Sequence, residues 1–103
     1  MGMRMTGTTL AALAVLASDP SREMYGLEIA ERAGLASGTL YPILLRLERE
    51  GWVTGTWETI DESDAGRRRR RYYALTGLGA REAHAALSQR KQVVTWKLRG
   101  ALG

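Results

Sequence analysis

The segment ASGTLYPILLRLEREGWV, residues 36–53, constrains this chain more than any other stretch. Placed at 100° steps, Leu40, Ile43, Leu44 and Leu47 fall on one stripe at i, i+3, i+4 and i+7, the signature of a helix that buries one face. Gly38, Pro42, Leu45, Arg46 and Arg49 fall on the opposite side. Ser37 is a good N-cap residue, Gly51 ends the helix, and Pro42 is expected to bend its first turn by removing a backbone donor. A strict core stripe opposite small and basic residues suits a helix that enters a nucleic-acid groove.

The preceding stretch, Tyr25 to Ala33, predicts a shorter helix closed by Gly34, with Leu27 and Ala30, or Leu27, Ile29 and Ala33, as its apolar face. Only Gly34-Leu35-Ala36 separates the two helices. Short helices joined by a tight glycine-containing turn make a helix-turn-helix, or else a plain helical hairpin, and spacing alone leaves both open.

After Gly51 the period changes. Trp52 to Ile60 is rich in β-branched and aromatic residues, and Arg67 to Leu75 returns after a polar turn, so a β-hairpin is expected. Helix-turn-helix followed by hairpin is the order of a winged helix. Arg67, Arg68, Arg69, Arg70 and Arg71 open the return strand. Strand alternation would put them on both faces, where they repel one another unless anions are near. The acidic turn residues Asp61, Glu62 and Asp64 are expected to restrain them when no nucleic acid is bound. One of Tyr72 and Tyr73 should enter the core, and the other should cover the wing or reach a phosphate.

Thr76 can cap a last helix running from Gly77 towards Arg99, with Ala80, Ala83, Leu87, Val94 and Leu98 on one stripe. Such a helix, on the order of 35 Å long, exceeds what a small winged domain covers, so a second subunit is expected against it. Residues 8–18 form a helix apolar nearly all round, which also asks for cover beyond a small domain. Leu10, Leu13, Leu87, Val94 and Leu98 are therefore the expected homodimer contacts. Trp96 falls opposite the stripe and either packs on the partner's first helix or lines a pocket for a flat ligand.

A chain of 103 residues suits one compact domain. The absence of cysteine removes disulfides and thiolate metal sites and favours a reducing cytoplasm. A net charge of +4 favours a polyanionic partner. No apolar run approaches the ~20 residues of a membrane span. The apolar N-terminal stretch reads as part of the folded protein rather than a signal peptide. The start MGMRMT matches the myristoylation pattern only by coincidence, since no second membrane signal accompanies it. His84 is the only histidine and has no triad or metal partner in the spacing, and the acidic turn lacks the ligands of a calcium loop. No catalytic residue, cofactor or metal is expected.

The string Ser37-Gly38-Thr39-Leu40-Tyr41-Pro42, Leu44 with Arg46-Leu47-Glu48, Glu50-Gly51, Arg71-Tyr72-Tyr73, and Leu75-Thr76 with Gly79 resemble the PadR family of transcriptional regulators. The likeness runs roughly from Thr8 to Leu87 and is to the short form with a single C-terminal helix. It is looser over residues 25–29, where Leu27 stands in place of the usual aromatic residue. The resemblance implies a dimeric winged-helix DNA-binding repressor, often responsive to small aromatic or cytotoxic compounds. It also implies that Ser37, Gly38, Thr39, Tyr41 and Pro42 start the recognition helix.

The expected fold is thus mainly α with a small β-hairpin: a winged helix-turn-helix over residues 1–76 and a dimerisation helix over residues 77–103. Thr39, Tyr41, Arg46 and Arg49 are expected to face the major groove or its flanking phosphates, with Ser37, Gly38 and Pro42 beside them. Tyr25 is expected to join this DNA contact. Arg67 to Arg71 are expected to reach phosphates or a narrow minor groove, and the partner DNA to be a palindromic duplex. The competing reading is a winged helix that docks on proteins without sequence-specific DNA binding, because function is not set by fold.

Overall fold

The computed structural model describes residues 5–102, with side chains through Gln89. In chain order the elements are α1 (Gly7–Ser18), β1 (Met24–Tyr25), α2 (Gly26–Ala33), α3 (Ser37–Arg49), β2 (Val53–Trp57), α4 (Glu62–Ala65), β3 (Arg71–Leu75) and α5 (Gly77–Leu102). The mainly helical winged fold expected from the sequence is the fold observed.

Helix α1 starts where the Thr6 hydroxyl accepts a hydrogen bond from the Thr9 N–H at 3.2 Å. Its Thr9, Leu10, Ala12, Leu13, Val15 and Leu16 are buried by the chain itself. This corrects the expectation for Leu13, which is 0 % exposed and offers no surface to a partner. Leu10 keeps 8 %. The small residues Thr8 and Ala14 remain exposed.

Three helices and the sheet share one core. Leu40, Ile43, Leu44 and Leu47 of α3 are buried, as their spacing requires, and meet Leu13, Leu16, Met24 and Ile29. In α2 the core is reached through Ile29 and Ala30, while Leu27 is 49 % exposed. The expected apolar face is corrected here: Gly26 rather than Tyr25 begins the helix, and packing on α1 and α3 turns Leu27 outward. The cap of α3 also differs. Ala36 is the N-cap without a side-chain bond, its carbonyl accepting from the Thr39 and Leu40 N–H groups, and Ser37 is already helical.

Gly51, at φ 76°, closes α3 in a left-handed turn. The Gly51 N–H donates to the Glu48 carbonyl and the Trp52 N–H to the Leu47 carbonyl, the paired bonds of a Schellman ending. That ending directs the chain into β2. The sheet has three antiparallel strands in the order β1-β3-β2, not the two of a simple hairpin. Strand β1 is only two residues long and pairs Met24 with Tyr73 and Tyr25 with Tyr72. Val53 to Trp57 pair with Leu75 back to Arg71.

The arginine run is not a strand. Only Arg71 belongs to β3, and Arg67 to Arg70 lie in the loop after α4. The expected alternation across the hairpin is corrected accordingly. Asp61 is not an arginine counter-ion either, since its carboxylate caps α4 by accepting from the Ser63 and Asp64 N–H groups.

Helix α5 begins as expected. The Gly79 N–H donates to Thr76 Oγ1 at 3.0 Å, and the Thr76 hydroxyl donates to the Gly51 carbonyl at 2.6 Å. Ala83 is buried, and Ala80 and Leu87 are half-buried, on a helix of 26 residues, about 39 Å. The side chains of Val94, Trp96 and Leu98 lie outside the described residues. Among the described residues no helix is long and apolar enough to cross a membrane.

Candidate nucleic-acid interface

Because α3 buries its four-residue stripe, its other face must look outward. Ser37, Gly38, Thr39, Tyr41, Pro42, Leu45, Arg46 and Arg49 are all exposed there. Tyr41 is 47 % exposed and lies over the start of α2. A β-carbon on Gly26 would meet the Tyr41 hydroxyl and ring edge at 2.5–2.9 Å, so glycine at that position leaves room for the phenol. Arg46 and Arg49 make no ion pair among the described residues.

A cleft of ≈ 590 Å³ lies between the wing, the start of α2 and Tyr41 of α3. It is lined by Tyr25, Gly26, Leu27, Tyr41, Trp57, Tyr73 and Arg68 to Arg71. The fold thus brings Tyr25 and Tyr41 together with four of the five wing arginines. Ser37, Gly38, Thr39, Pro42, Arg46 and Arg49 are exposed on α3 but do not line it. Tyr73 is the tyrosine that enters the core, and burial pushes its phenol pKa up. Tyr72 covers the wing, edge-on to Tyr25 with ring centroids 5.9 Å apart.

Two glutamates and one tryptophan organise the arginines. Glu58 takes Arg67 as a bidentate pair, Nη1 to Oε1 at 2.7 Å and Nη2 to Oε2 at 3.1 Å. The same carboxylate accepts from the Arg70 backbone N–H at 3.2 Å and from the Tyr72 hydroxyl at 3.4 Å. Glu48 of α3 accepts from Arg71 Nη2 at 3.1 Å, tying α3 to the wing. Arg69 and Arg71 both lie over the Trp57 ring, at 5.2 and 5.3 Å, and Arg70 lies over Tyr25 at 4.4 Å. Glu48, Trp57 and Glu58 were not among the site residues expected from sequence. Nothing in their local spacing marks them, because each acts on residues 9 or more positions away or across the sheet.

The Arg67 guanidinium, hydrogen-bonded to Glu58, holds its carboxyl at about 2, with the Arg70 N–H adding to the effect against partial burial. Arg67 and Arg71 are raised in turn by their glutamate partners. Since Glu58 sits below its ordinary value of 4.5, its contribution to stability is complete above that pH. It is lost as the pH falls from about 4.5 towards about 2. Acid titration of the folded state should therefore show less destabilisation across this window in Glu58→Gln than in the wild-type protein. Equal acid limbs would mean the pair is not formed in solution.

The sequence profile of the Transcriptional regulator PadR-like family matches residues 13–85. Among solved structures, a PadR-like transcriptional regulator from Bacillus cereus strain ATCC 14579 is 22 % identical with a TM-score of 0.73, covering 92 % of this chain and 91 % of its own. A PadR family transcription regulator from hypervirulent Clostridium difficile R20291 is 24 % identical with a TM-score of 0.73, covering 95 % and 100 %. A Streptococcus mutans UA159 protein is 25 % identical with a TM-score of 0.69, covering 99 % and 93 %. No curated protein matches this chain. The structural likenesses establish the winged fold, and the profile, which spans helix-turn-helix, wing and the start of α5, establishes more: the chain belongs to the PadR-like family of transcriptional regulators.

Proposed function

We propose that this regulator is a homodimer that binds a palindromic DNA duplex in a sequence-specific way and represses transcription until a small ligand releases it. The observation that carries the reading is the exposed basic face of α3 together with a cleft in which Tyr41 of that helix meets Tyr25 and Arg68 to Arg71 of the wing. Thr39, Tyr41, Arg46 and Arg49 are offered to the major groove and its flanking phosphates, with Gly38 and Pro42 allowing close approach. The Ser37 hydroxyl is not used as a helix cap, so it and the amides at this helix start can take a phosphate oxygen. Tyr25 and Arg67 to Arg71 supply the contact beyond the groove.

Dimerisation is assigned to α5 through Leu87, Val94 and Leu98, with the remaining edge of Leu10. In support, Leu87 borders an apolar cleft of ≈ 340 Å³ between α1, β3 and α5. Trp96 is offered as a stacking surface for a small aromatic or cytotoxic effector at that interface. Such a ligand releases DNA only if it binds one dimer arrangement better than the other. The cytoplasm is the compartment in which this activity would operate.

Selection of bound duplexes from a random pool tests the reading. The expected product is a palindrome whose half-site centres lie about one helical turn, ~34 Å, or a multiple apart. Recovery of no enriched sequence would favour the protein-docking alternative.

A further inference from the structure

We infer that Glu58 and Glu48 divide the arginine run into two classes: Arg67 and Arg71 are structural, and Arg68, Arg69 and Arg70 alone engage the nucleic-acid backbone. The inference rests on the DNA-binding reading and narrows its five wing arginines to three.

The chemistry of the guanidinium separates the classes. A carboxylate pairs with the N–H edge, which is the edge a phosphate needs. An aromatic ring takes the planar face and leaves the N–H edge available. Arg67 spends two edge donors on Glu58, and one of those nitrogens also donates to the Arg68 carbonyl. Arg71 spends an edge donor on Glu48 and is further enclosed by Trp57, Tyr73 and the backbone at Gly55. Arg69 and Arg70 instead lie over the rings of Trp57 and Tyr25, at 5.2 and 4.4 Å from the centroids, and neither has a carboxylate partner among the described residues. Arg68 has no side-chain partner among the described residues, and it borders the same cleft.

Glu58 is the positioning residue in this arrangement. Through Arg67, the Arg70 N–H and Tyr72 it closes the wing loop, and the Glu58 N–H donates to the Arg70 carbonyl at 2.8 Å. Arg68 and Arg69 lie between those anchors. Trp57 is half-exposed, and Arg69 beside it is itself exposed. A phosphodiester running along the cleft would meet three arginines free of carboxylate partners, two of them held against aromatic rings, rather than five repelling cations.

The test is the slope of log K against log salt for binding to a mixed-sequence duplex. Each phosphate neutralised by a protein cation contributes about 0.9 to the steepness of that slope. Arg68→Gln, Arg69→Gln and Arg70→Gln should each flatten it by about 0.9, while Arg67→Gln and Arg71→Gln leave it unchanged. Glu58→Gln frees Arg67 and should steepen the slope by about 0.9, and Arg67→Gln in that background should restore the wild-type value. A merely structural Glu58 would instead weaken binding with no gain in slope. Flattening by Arg67→Gln equal to that by Arg69→Gln overturns the division even though DNA binding stands. A wild-type protein without salt-dependent duplex binding overturns the DNA reading and this inference together. NMR titration of Glu58 gives a DNA-independent check: about 2 in the wild type, rising towards the ordinary value in Arg67→Gln. An ordinary value already in the wild type overturns the counter-ion assignment alone.

Discussion

Gly79→Ala is expected to destabilise the protein by about 1–3 kcal/mol or more, the usual cost of overpacking, in urea unfolding. Local propensity points the other way, since alanine is favoured over glycine inside a helix by about 1 kcal/mol. The tertiary contact decides the sign. A β-carbon at Gly79 would overlap the Trp52 carbonyl oxygen and stand 2.7 and 2.9 Å from the Trp52 carbonyl carbon and Cα. These are backbone atoms, pinned by the Trp52 N–H bond to Leu47 and by the Thr76 N–H bond to the Trp52 carbonyl. No side chain can swing aside, so α5 must back away from the wing and from Ala83's place in the core. Gly38→Ala serves as the control, because a β-carbon there meets nothing. It should leave stability unchanged or raise it by the helix term. Stabilisation by Gly79→Ala as well would mean that α5 does not sit on Trp52.

The triple substitution of Arg68, Arg69 and Arg70 by glutamine is expected to weaken duplex binding at ~0.1 M salt on the order of 10²–10³-fold, for all sequences alike. Three lost phosphate contacts at about 0.9 each remove about 2.7 from the salt slope, and that is the size of the loss one decade below ~1 M salt. Because phosphate contacts carry no sequence information, the preferred duplex should not change. Substitutions on the outer face of α3 should act differently, altering which duplex is preferred. Filter binding with the selected duplex and with an unrelated one separates the two effects. Equal loss on both duplexes supports a wing that holds the backbone, and loss on the selected duplex alone assigns base reading to the wing instead.

Much of this architecture was legible along the chain because its signals are local. The stripe Leu40, Ile43, Leu44, Leu47 lies within two helical turns, and all four residues are buried. Gly34 and Gly51 ended helices where a left-handed residue was needed. Thr76 capped α5, and one tyrosine of the Tyr72-Tyr73 pair entered the core, as strand alternation demands. Failures came where a local rule met a competing neighbour. Ser37 has the side chain of a cap, but Ala36 took that position and left Ser37 inside the helix. Leu27 has the apolar character of a core residue, but α2 needs only Ile29 and Ala30 against α1 and α3. Two-residue β1 is too short to show a period.

The candidate site divides in the same way. That α3 would present small and basic residues opposite its core stripe followed from 3.6-residue periodicity alone, and an arginine-rich hairpin after it followed from the β-branched and aromatic residues flanking a polar turn. Which arginines are committed and which are offered did not follow. Glu58 meets Arg67 only when the wing loop closes, and Glu48 meets Arg71 across 23 positions only when α3 packs beside β3. The sequence by itself determined the order of the main helices and the wing, the buried stripe of α3 and the family, because those depend on residues a few positions apart. Tertiary structure alone decided the ion pairs, the stacked rings and the glycine contact under α5. Hydrogen bonds and ring stacks act over a few ångströms, and that proximity exists only once strand register and helix placement have brought distant residues together.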